Sequence, residues 1–144
     1  MLQQLDAQSA FNKTFCYYWS YPSSNADIGA AHSVELLFVF DLRCVGTESS
    51  FNGTNISEEI FTSVQQMWTN FARCGDPSTD SVEWKAYSAD DRNVLDIAGP
   101  GDMNIKHDLL ADQYKAVLPL VGYYQFMDKY FTPHYLLDVV AARK

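Results

Sequence analysis

The amino-acid sequence predicts an α/β fold, in which a sheet is covered by helices. Three observations support this prediction: an aromatic-rich strand pattern at residues 13–22, a long helical pattern that begins near Ser57, and short strand-like runs after it. The chain has 144 residues, of which 47% are hydrophobic and 15% aromatic, enough to form the packed core of one domain. No internal repeat or low-complexity segment divides the chain, so we expect a single domain or part of one.

The first predicted strand, residues 13–22, carries aromatic side chains on both alternating faces, which is typical of a strand buried on both sides. Residues 22–31 form a predicted loop that leaves the carboxyl end of this strand. His32 follows directly, and open α/β sheets place their ligand sites just beyond the carboxyl ends of strands. The sequence pattern alone is compatible with two roles for His32: a structural histidine, or a residue of a functional site. The apolar run at residues 35–42 is predicted to be a packed helical turn or a short strand.

A helix is predicted from Ser57 onward. Ser57 is a favourable N-cap residue, and Glu58 and Glu59 in the first turn interact favourably with the helix dipole. Apolar residues then recur at helical spacing and predict a face directed toward the core: Ile60, Val64, Met67, Trp68 and Phe71. The sequence Gly75-Asp76-Pro77 is expected to end the helix.

Two short strands and a helical tail are predicted for the rest of the chain. Residues 84–87 and 94–97 are strand-like runs on either side of a turn-rich segment, which suggests a hairpin. From about residue 105 to residue 144, apolar residues return at helical spacing and predict a helical tail. Pro119 and Pro133 are expected to kink or interrupt that helix.

Charge and hydropathy argue against two classes of partner. The chain has ten Lys and Arg residues against 18 Asp and Glu residues, and its net charge of −8 repels a phosphate backbone, so nucleic acid is not an expected partner. The longest apolar runs, residues 36–40 and 116–124, are far shorter than the ~20 residues needed to cross a bilayer, so no membrane span is expected. The amino terminus lacks the basic start and apolar run of a signal peptide.

The three cysteines, Cys16, Cys44 and Cys74, are predicted to be small buried apolar residues. Their number is odd, their spacing is wide and none belongs to a C-x-x-C pair. Neither a zinc site nor a complete disulfide framework is therefore expected, and the sequence suggests no other cofactor.

Three segments carry a family resemblance: "GAAHSVELLFVF", "SEEIFTSVQQMWTNFARCGDP" and "WKAYSADDRNVLDI". They resemble consecutive blocks near the carboxyl end of the type-B carboxylesterases, the cholinesterase-like branch of the α/β-hydrolases. The resemblance runs from about residue 14 to residue 97, and beyond it only the helical character of the tail is similar. It implies that residues 1–144 are the C-terminal part of an α/β-hydrolase fold, the last sheet strands and their packing helices.

The resemblance also assigns roles to two residues. It implies that His32 is the general base of a serine esterase triad and that Glu35 is a nearby buried carboxylate outside the triad. The residue pattern alone also allows a second role for Glu35, as an acidic residue at the start of a helix whose carboxylate is hydrogen-bonded by backbone amides. His107 and His134 are expected to face solvent or to cap helices in the tail.

The other catalytic parts of such an enzyme are not present in these 144 residues. There is no G-x-S-x-G motif and no Gly-Gly oxyanion loop, and Ser33 is a poor nucleophile candidate because adjacent side chains rarely point at each other as nucleophile and base must. We therefore expect the isolated chain to be nearly inactive and to require the missing N-terminal part of the fold. In the intact enzyme, the substrate would be a small carboxylic ester.

A second hypothesis is a non-catalytic binding or adhesion module, because some cholinesterase-like relatives keep the fold and lose the triad. The retained His32 favours the enzyme. The tail has no cysteine after Cys74, whereas secreted relatives often hold it with a disulfide, and this slightly favours a cytoplasmic setting. Without neighbours, the aromatic strand would expose an edge and apolar surface, so self-association of the isolated chain is expected.

Overall fold

The computed structural model describes residues 2–22, 29–42, 57–109 and 111–131. It divides into two units, Met1–Leu109 and Leu110–Lys144. Its described residues in the first unit form three helices and three strands: α1 (Leu2–Ser9), β1 (Tyr17–Trp19), α2 (Glu35–Val39), α3 (Glu58–Cys74), β2 (Asn93–Gly99) and β3 (Asp102–His107). The second unit contains one described helix, α4 (Ala111–Phe131).

The three strands form a mixed sheet in the order β1-β2-β3. β1 runs parallel to β2, with Tyr17 opposite Leu95 and Trp19 opposite Ile97. β2 and β3 are antiparallel and are joined by a two-residue turn in which the positive φ of Gly101 (66°) allows the tight connection. The hydrogen bond from Ser20 Oγ to Asp96 ties the end of β1 to β2.

Two hydrophobic clusters cover the two faces of this sheet. On one face, α2 and α3 pack against β1 and β2, and the cluster includes Trp19, Leu37, Phe38, Ile60, Phe61, Val64, Met67, Leu95 and Ile97. On the other face, a smaller cluster contains Cys16, Tyr87 and Val94, with Leu5 of α1 and Leu109 packed against it. The alternation of side chains along β2 explains the division, because Val94 lies on one face and Leu95 on the other. The mixed α/β character predicted from the sequence is thus present.

The predicted helix at Ser57 is confirmed as α3. It begins after Ser57, whose side chain makes no capping hydrogen bond, and ends at Gly75, which has a φ of 72° and donates a 2.8 Å hydrogen bond to Phe71 O. The first three residues of the predicted apolar face are fully buried, but the side chain of Phe71 is 50% exposed. The apolar face therefore extends beyond the core at the carboxyl end of the helix.

The aromatic strand is shorter and less covered than the sequence suggested. β1 comprises only Tyr17–Trp19, because Thr14 pairs with Tyr87 instead of β2, in an isolated bridge with a 2.7 Å hydrogen bond from Tyr87 N to Thr14 O. Tyr18 is 42% exposed, so the prediction of a strand buried on both sides is wrong for this position. In contrast, the apolar run after His32 is a packed helical turn, α2, one of the two alternatives considered.

The hairpin lies later in the chain than predicted. Residues 84–87 form no strand beyond the bridge at Tyr87, and β2 pairs instead with β3, Asp102–His107. This segment was predicted to begin the helical tail, but its apolar residues Met103 and Ile105 are two apart and half-buried, which is the period of a strand. His107 consequently lies on β3, exposed to solvent, and not on a helix.

The helix of the second unit begins at Ala111 and continues through Pro119, so an interruption at that proline is not observed. Pro133 and His134 lie outside the described residues. None of the helices in the described ranges has the length and apolar character needed to span a membrane.

The cysteine prediction is correct at one position and wrong at another. Cys16 is buried on the sheet, whereas Cys74 is exposed because it is the last residue of α3, beyond the part of the helix that packs on the core. Both are free thiols, and Cys44 lies outside the described residues.

Candidate functional site

His32 lies on a tight turn immediately before α2. Its neighbour Ser33 has a φ of 69°, in the left-handed region that non-glycine residues rarely adopt, and Gly29 has a φ of 56°. The turn is closed by backbone hydrogen bonds from Val34 N to Ala31 O (3.4 Å) and from Leu36 N to Ser33 O (3.2 Å). The conformation of Ser33 therefore decides how the chain passes from His32 into α2.

Phe38 anchors α2 and with it the turn that carries His32. Its side chain is fully buried, and its ring centroid lies 4.7 Å from that of Phe61 on α3 and 5.0 Å from that of Trp19 on β1. The Gln65 side chain of α3 also donates a 3.3 Å hydrogen bond to Phe38 O. A helix of only five residues would not be stable alone, so these contacts fix its position.

The structure brings the two predicted site residues to one cleft. The cleft has a volume of about 390 Å³ and is walled by residues 15–19, by Leu5 of α1 and by the turn at residues 30–35. His32 is exposed at this cleft, and Glu35 is half-buried in its wall. The cleft therefore brings the His32 turn alongside β1.

Tyr17 is a residue of this cleft that sequence reasoning did not select. Burial and, to a smaller extent, the negative charge of Glu35 raise the pKa of the Tyr17 hydroxyl. Its ring is held edge-on by Trp68 and Trp84, at centroid distances of 5.2 Å and 6.2 Å. The only sequence signal for Tyr17 is an aromatic residue in the predicted strand, and it is shared with Phe15 and Trp19.

The cleft offers a histidine and a carboxylate, which together suit proton transfer. Ser33 supplies a hydroxyl beside His32, but this sequence has no strand-to-helix elbow motif that would expose it as a nucleophile. Within the described ranges, no group of three or more His, Cys, Asp or Glu side chains could hold a metal ion. His107 lies elsewhere, on β3, where its Nδ1 is 3.3 Å from Asp91 O.

Comparisons with known proteins identify the family. The profile described as "Carboxylesterase family" matches residues 1–117. Among curated proteins, the para-nitrobenzyl esterase of Bacillus subtilis (strain 168) is 27% identical over 118 residues, which cover 81% of this chain and 24% of that protein.

Solved structures give the same result for the fold. A PNB esterase matches with a TM-score of 0.68 and 25% identity, covering 79% of this chain and 24% of that one. The carboxylesterase Est55 of Geobacillus stearothermophilus matches with a TM-score of 0.64 and 25% identity, covering 81% of this chain and 24% of that one. The expected fold class, part of an α/β-hydrolase fold, is therefore confirmed.

The chain spans about a quarter of the length of these relatives. The family profile nevertheless covers most of the chain, and it includes β1, the His32 turn, α3 and the β2–β3 hairpin. The resemblance seen in the sequence is thereby confirmed, and this chain belongs to the carboxylesterase family.

Proposed function

We propose that this chain supplies the histidine base of a serine carboxylesterase, with His32 as that base. The observation that carries the proposal is that His32 is exposed in a cleft beside β1, together with Glu35, in a chain of the carboxylesterase family. The serine nucleophile, the triad acid and the oxyanion donors would come from residues outside these 144.

The proposed reaction is acyl transfer through a covalent intermediate. The serine hydroxyl attacks the ester carbonyl carbon while His32 accepts the hydroxyl proton, and His32 then gives this proton to the alkoxy oxygen as the acyl–oxygen bond breaks. The alcohol leaves and the acyl group remains on the serine. Water then attacks the acyl-enzyme with His32 again as base, which releases the carboxylic acid and restores the serine.

Glu35 is proposed as a supporting carboxylate. It lines the same cleft as His32 and is half-buried, so its negative charge is less screened than that of a surface carboxylate. Such a charge would stabilise the imidazolium that forms when His32 holds the serine proton. Because this role is indirect, its loss should cost less activity than loss of the base.

The isolated chain is expected to be inactive. A histidine without a hydroxyl to activate and without donors for the oxyanion lacks most of the barrier reduction of a serine esterase. Purified residues 1–144 should hydrolyse p-nitrophenyl acetate no faster than a heat-denatured sample. Saturable hydrolysis that survives His32→Ala would contradict the role of His32.

The base itself is tested in a chimera in which residues 1–144 replace the matching quarter of the Bacillus subtilis para-nitrobenzyl esterase. The substrate is a p-nitrobenzyl ester, chosen because of the name of that relative. His32→Gln should lower kcat by about 10⁴ to 10⁶ with much less effect on KM, as in other serine hydrolases that lose a triad member. Glu35→Gln should have a smaller effect on kcat.

His107→Gln is the matched control, because His107 is exposed on β3 and outside the cleft, and it should leave kcat unchanged. Thermal melts of all variants establish that they are folded. The proposal fails if folded His32→Gln keeps kcat within about tenfold of the unsubstituted chimera, a barrier difference of only ~1.4 kcal/mol. A folded chimera without hydrolysis also contradicts it and favours a non-catalytic binding module.

A further inference from the structure

Tyr17 and Glu35 lie on the same face of the sheet. Tyr17 belongs to β1 and packs, like Trp19 two residues later, with the cluster that α2 and α3 form on that face. Cys16, the residue before Tyr17, belongs to the smaller cluster on the opposite face. Glu35 is the first residue of α2, which covers the face of Tyr17. Both residues line the cleft that contains His32.

The ring of Tyr17 is fixed by its neighbours. It packs edge-on against Trp68 and Trp84, at centroid distances of 5.2 Å and 6.2 Å. Because the ring is already ordered, a hydrogen bond made by its hydroxyl costs little further side-chain entropy. The hydroxyl is therefore suited to orient a longer and more rotatable side chain, such as that of a glutamate.

The two polar groups complement each other. The Tyr17 hydroxyl can donate a hydrogen bond and the Glu35 carboxylate can accept one, and both residues are half-buried. In the part of the chain that the structure describes, neither group makes a hydrogen bond or an ion pair with another side chain. Polar groups that are withdrawn from bulk water are usually hydrogen-bonded. The cleft thus contains an unpaired donor and an unpaired acceptor.

The charge of Glu35 acts on the Tyr17 hydroxyl. Burial is the largest cause of the raised pKa of Tyr17, followed by the negative charge of Glu35 and then by Cys16. Burial alone raises the pKa of Tyr21, two residues beyond β1. Tyr17 and Glu35 therefore lie within the range of a Coulomb interaction although no direct hydrogen bond joins them. A water molecule can bridge two such groups, and the cleft, with about 390 Å³, has room for one.

The other titratable groups around Tyr17 are poorer partners. Lys13 lines a second cavity that Tyr17 also borders, but its ammonium group is paired with Asp76 at 2.6 Å. The Cys16 thiol is a weak hydrogen-bonding group and lies on the opposite face of the sheet. His32 lines the same cleft, but its imidazole has to accept the serine proton in the proposed reaction. Glu35 remains as the acceptor.

We propose that Tyr17 is a positioning residue for Glu35, whose carboxylate it holds beside His32 through a hydrogen bond from its hydroxyl by way of one water molecule in the cleft. The inference rests on the proposed function, in which the charge of Glu35 stabilises the His32 imidazolium. A charge that is already in place when the imidazolium forms needs no reorganisation at that moment. Tyr17 does not touch the reacting atoms and acts only through Glu35.

NMR titration of the tyrosine Cζ signals in the isolated chain tests this contact without catalysis. Glu35→Gln removes the negative charge and should lower the pKa of Tyr17, although burial keeps it above its ordinary value. The pKa of Tyr21 in the same sample should not change, because burial is the only cause of its shift. Tyr17→Phe and Tyr21→Phe assign the two signals, and circular dichroism at each pH establishes that the chain is folded. An unchanged pKa of Tyr17 overturns the proposal.

Kinetics of the chimera described above test the consequence for catalysis. Tyr17→Phe keeps the ring and should lower kcat about fivefold, the effect of one hydrogen bond, with little change in KM. In a Glu35→Gln background, the same change should have no further effect on kcat, because the carboxylate that Tyr17 positions is absent. Tyr21→Phe is the matched control, since Tyr21 is buried and does not line the cleft, and it should leave kcat unchanged.

Two kinetic results contradict the positioning role. A hydroxyl that only supports the fold would lower kcat to the same extent in both backgrounds. A folded Tyr17→Phe chimera with the kcat of the unsubstituted one would show that the hydroxyl is not needed. If folded His32→Gln stays active, or the folded chimera does not hydrolyse esters, the proposed function fails and the catalytic part of this inference fails with it. The titration decides separately whether Tyr17 and Glu35 are coupled.

Discussion

The phenolic hydroxyl of Tyr87 donates a 2.7 Å hydrogen bond to a carboxylate oxygen of Asp6, 81 residues earlier in the chain. Asp6 belongs to α1, a helix of eight residues that is too short to be stable on its own. Tyr87 is 3% exposed and lies in the cluster against which Leu5 of α1 packs. The position of α1, which forms part of the cleft wall, thus depends on a contact made far away in the sequence.

Removal of the Tyr87 hydroxyl should destabilise the first unit. Tyr87→Phe keeps the ring but leaves the Asp6 carboxylate without this donor, and hydrogen bonds to charged groups contribute about 1.5–3 kcal/mol. We expect a loss of this order in the free energy of unfolding, measured by urea denaturation. Tyr18→Phe, at a position 42% exposed, is the control and should change it by less than ~0.5 kcal/mol. Equal effects of the two changes would contradict the importance of this contact.

Alkaline pH should weaken the same contact. Burial and the hydrogen bond to Asp6 raise the pKa of Tyr87 above its ordinary value of ~10. Because the pKa is higher in the folded chain than in the unfolded chain, this contribution to stability is complete below about pH 10 and is lost as the pH rises further. The difference in unfolding free energy between the parent and Tyr87→Phe should therefore shrink above about pH 10. A difference that stays constant up to pH ~12 would contradict this coupling.

The ion pair between Lys13 and Asp76 predicts an effect at acid pH. Lys13 Nζ lies 2.6 Å from Asp76 Oδ2, and this hydrogen bond, followed by those from Ser78, lowers the pKa of Asp76 to about 2. The pair stabilises the fold above the unfolded pKa of ~3.9, and its contribution is lost as the pH falls through about 2. Both side chains are largely exposed, so the contribution should be only ~0.2–1 kcal/mol.

NMR titration of the Asp76 carboxyl carbon measures this effect directly. Lys13→Met should move the pKa of Asp76 upward toward its ordinary value, whereas Lys115→Met on α4 should not, because its neighbouring carboxylate is Asp112. An unchanged titration of Asp76 in Lys13→Met would show that the Ser78 hydrogen bonds alone hold the pKa low.

Phe38 and Phe40 form a matched pair for testing how α2 is anchored. Phe38 is fully buried between Phe61 and Trp19, whereas Phe40, two residues later, is 66% exposed. Phe38→Ala should lower the free energy of unfolding by about 3–5 kcal/mol because it leaves a cavity in the core. Phe40→Ala should change it by less than ~0.5 kcal/mol. Similar urea midpoints for the two variants would contradict the packing described for α2.

Thiol reactivity should separate the two described cysteines. Burial raises the pKa of the Cys16 thiol, which lowers its thiolate fraction, whereas Cys74 is exposed at the end of α3. In a Cys44→Ser background, Ellman's reagent should modify Cys74 rapidly and Cys16 only on unfolding, and Cys74→Ser should abolish the rapid phase. Rapid modification of Cys16 in the folded protein would contradict its position on the covered face of the sheet.

The sequence alone predicted the elements whose signals are local. The spacing of Ile60, Val64 and Met67 and the glycine at position 75 predicted α3, because an amphipathic face and a left-handed cap are properties of one helix. Short segments were predicted less well. Ile105 was assigned to a helix although it lies in β3, since a few apolar residues fit either period until a partner strand is known.

The candidate site, too, was predicted only in part from the sequence. The sequence supplied His32 and Glu35, through a resemblance carried by contiguous blocks of residues, and it supplied the charge of −8 that argues against nucleic acid. Only the tertiary structure revealed that Tyr17 joins these residues in one cleft and that, among the described residues, β1 pairs with a neighbouring strand along one edge only. Both depend on which distant segments pack together, such as α1 through Tyr87 and Asp6, and local residue patterns carry no information about that choice.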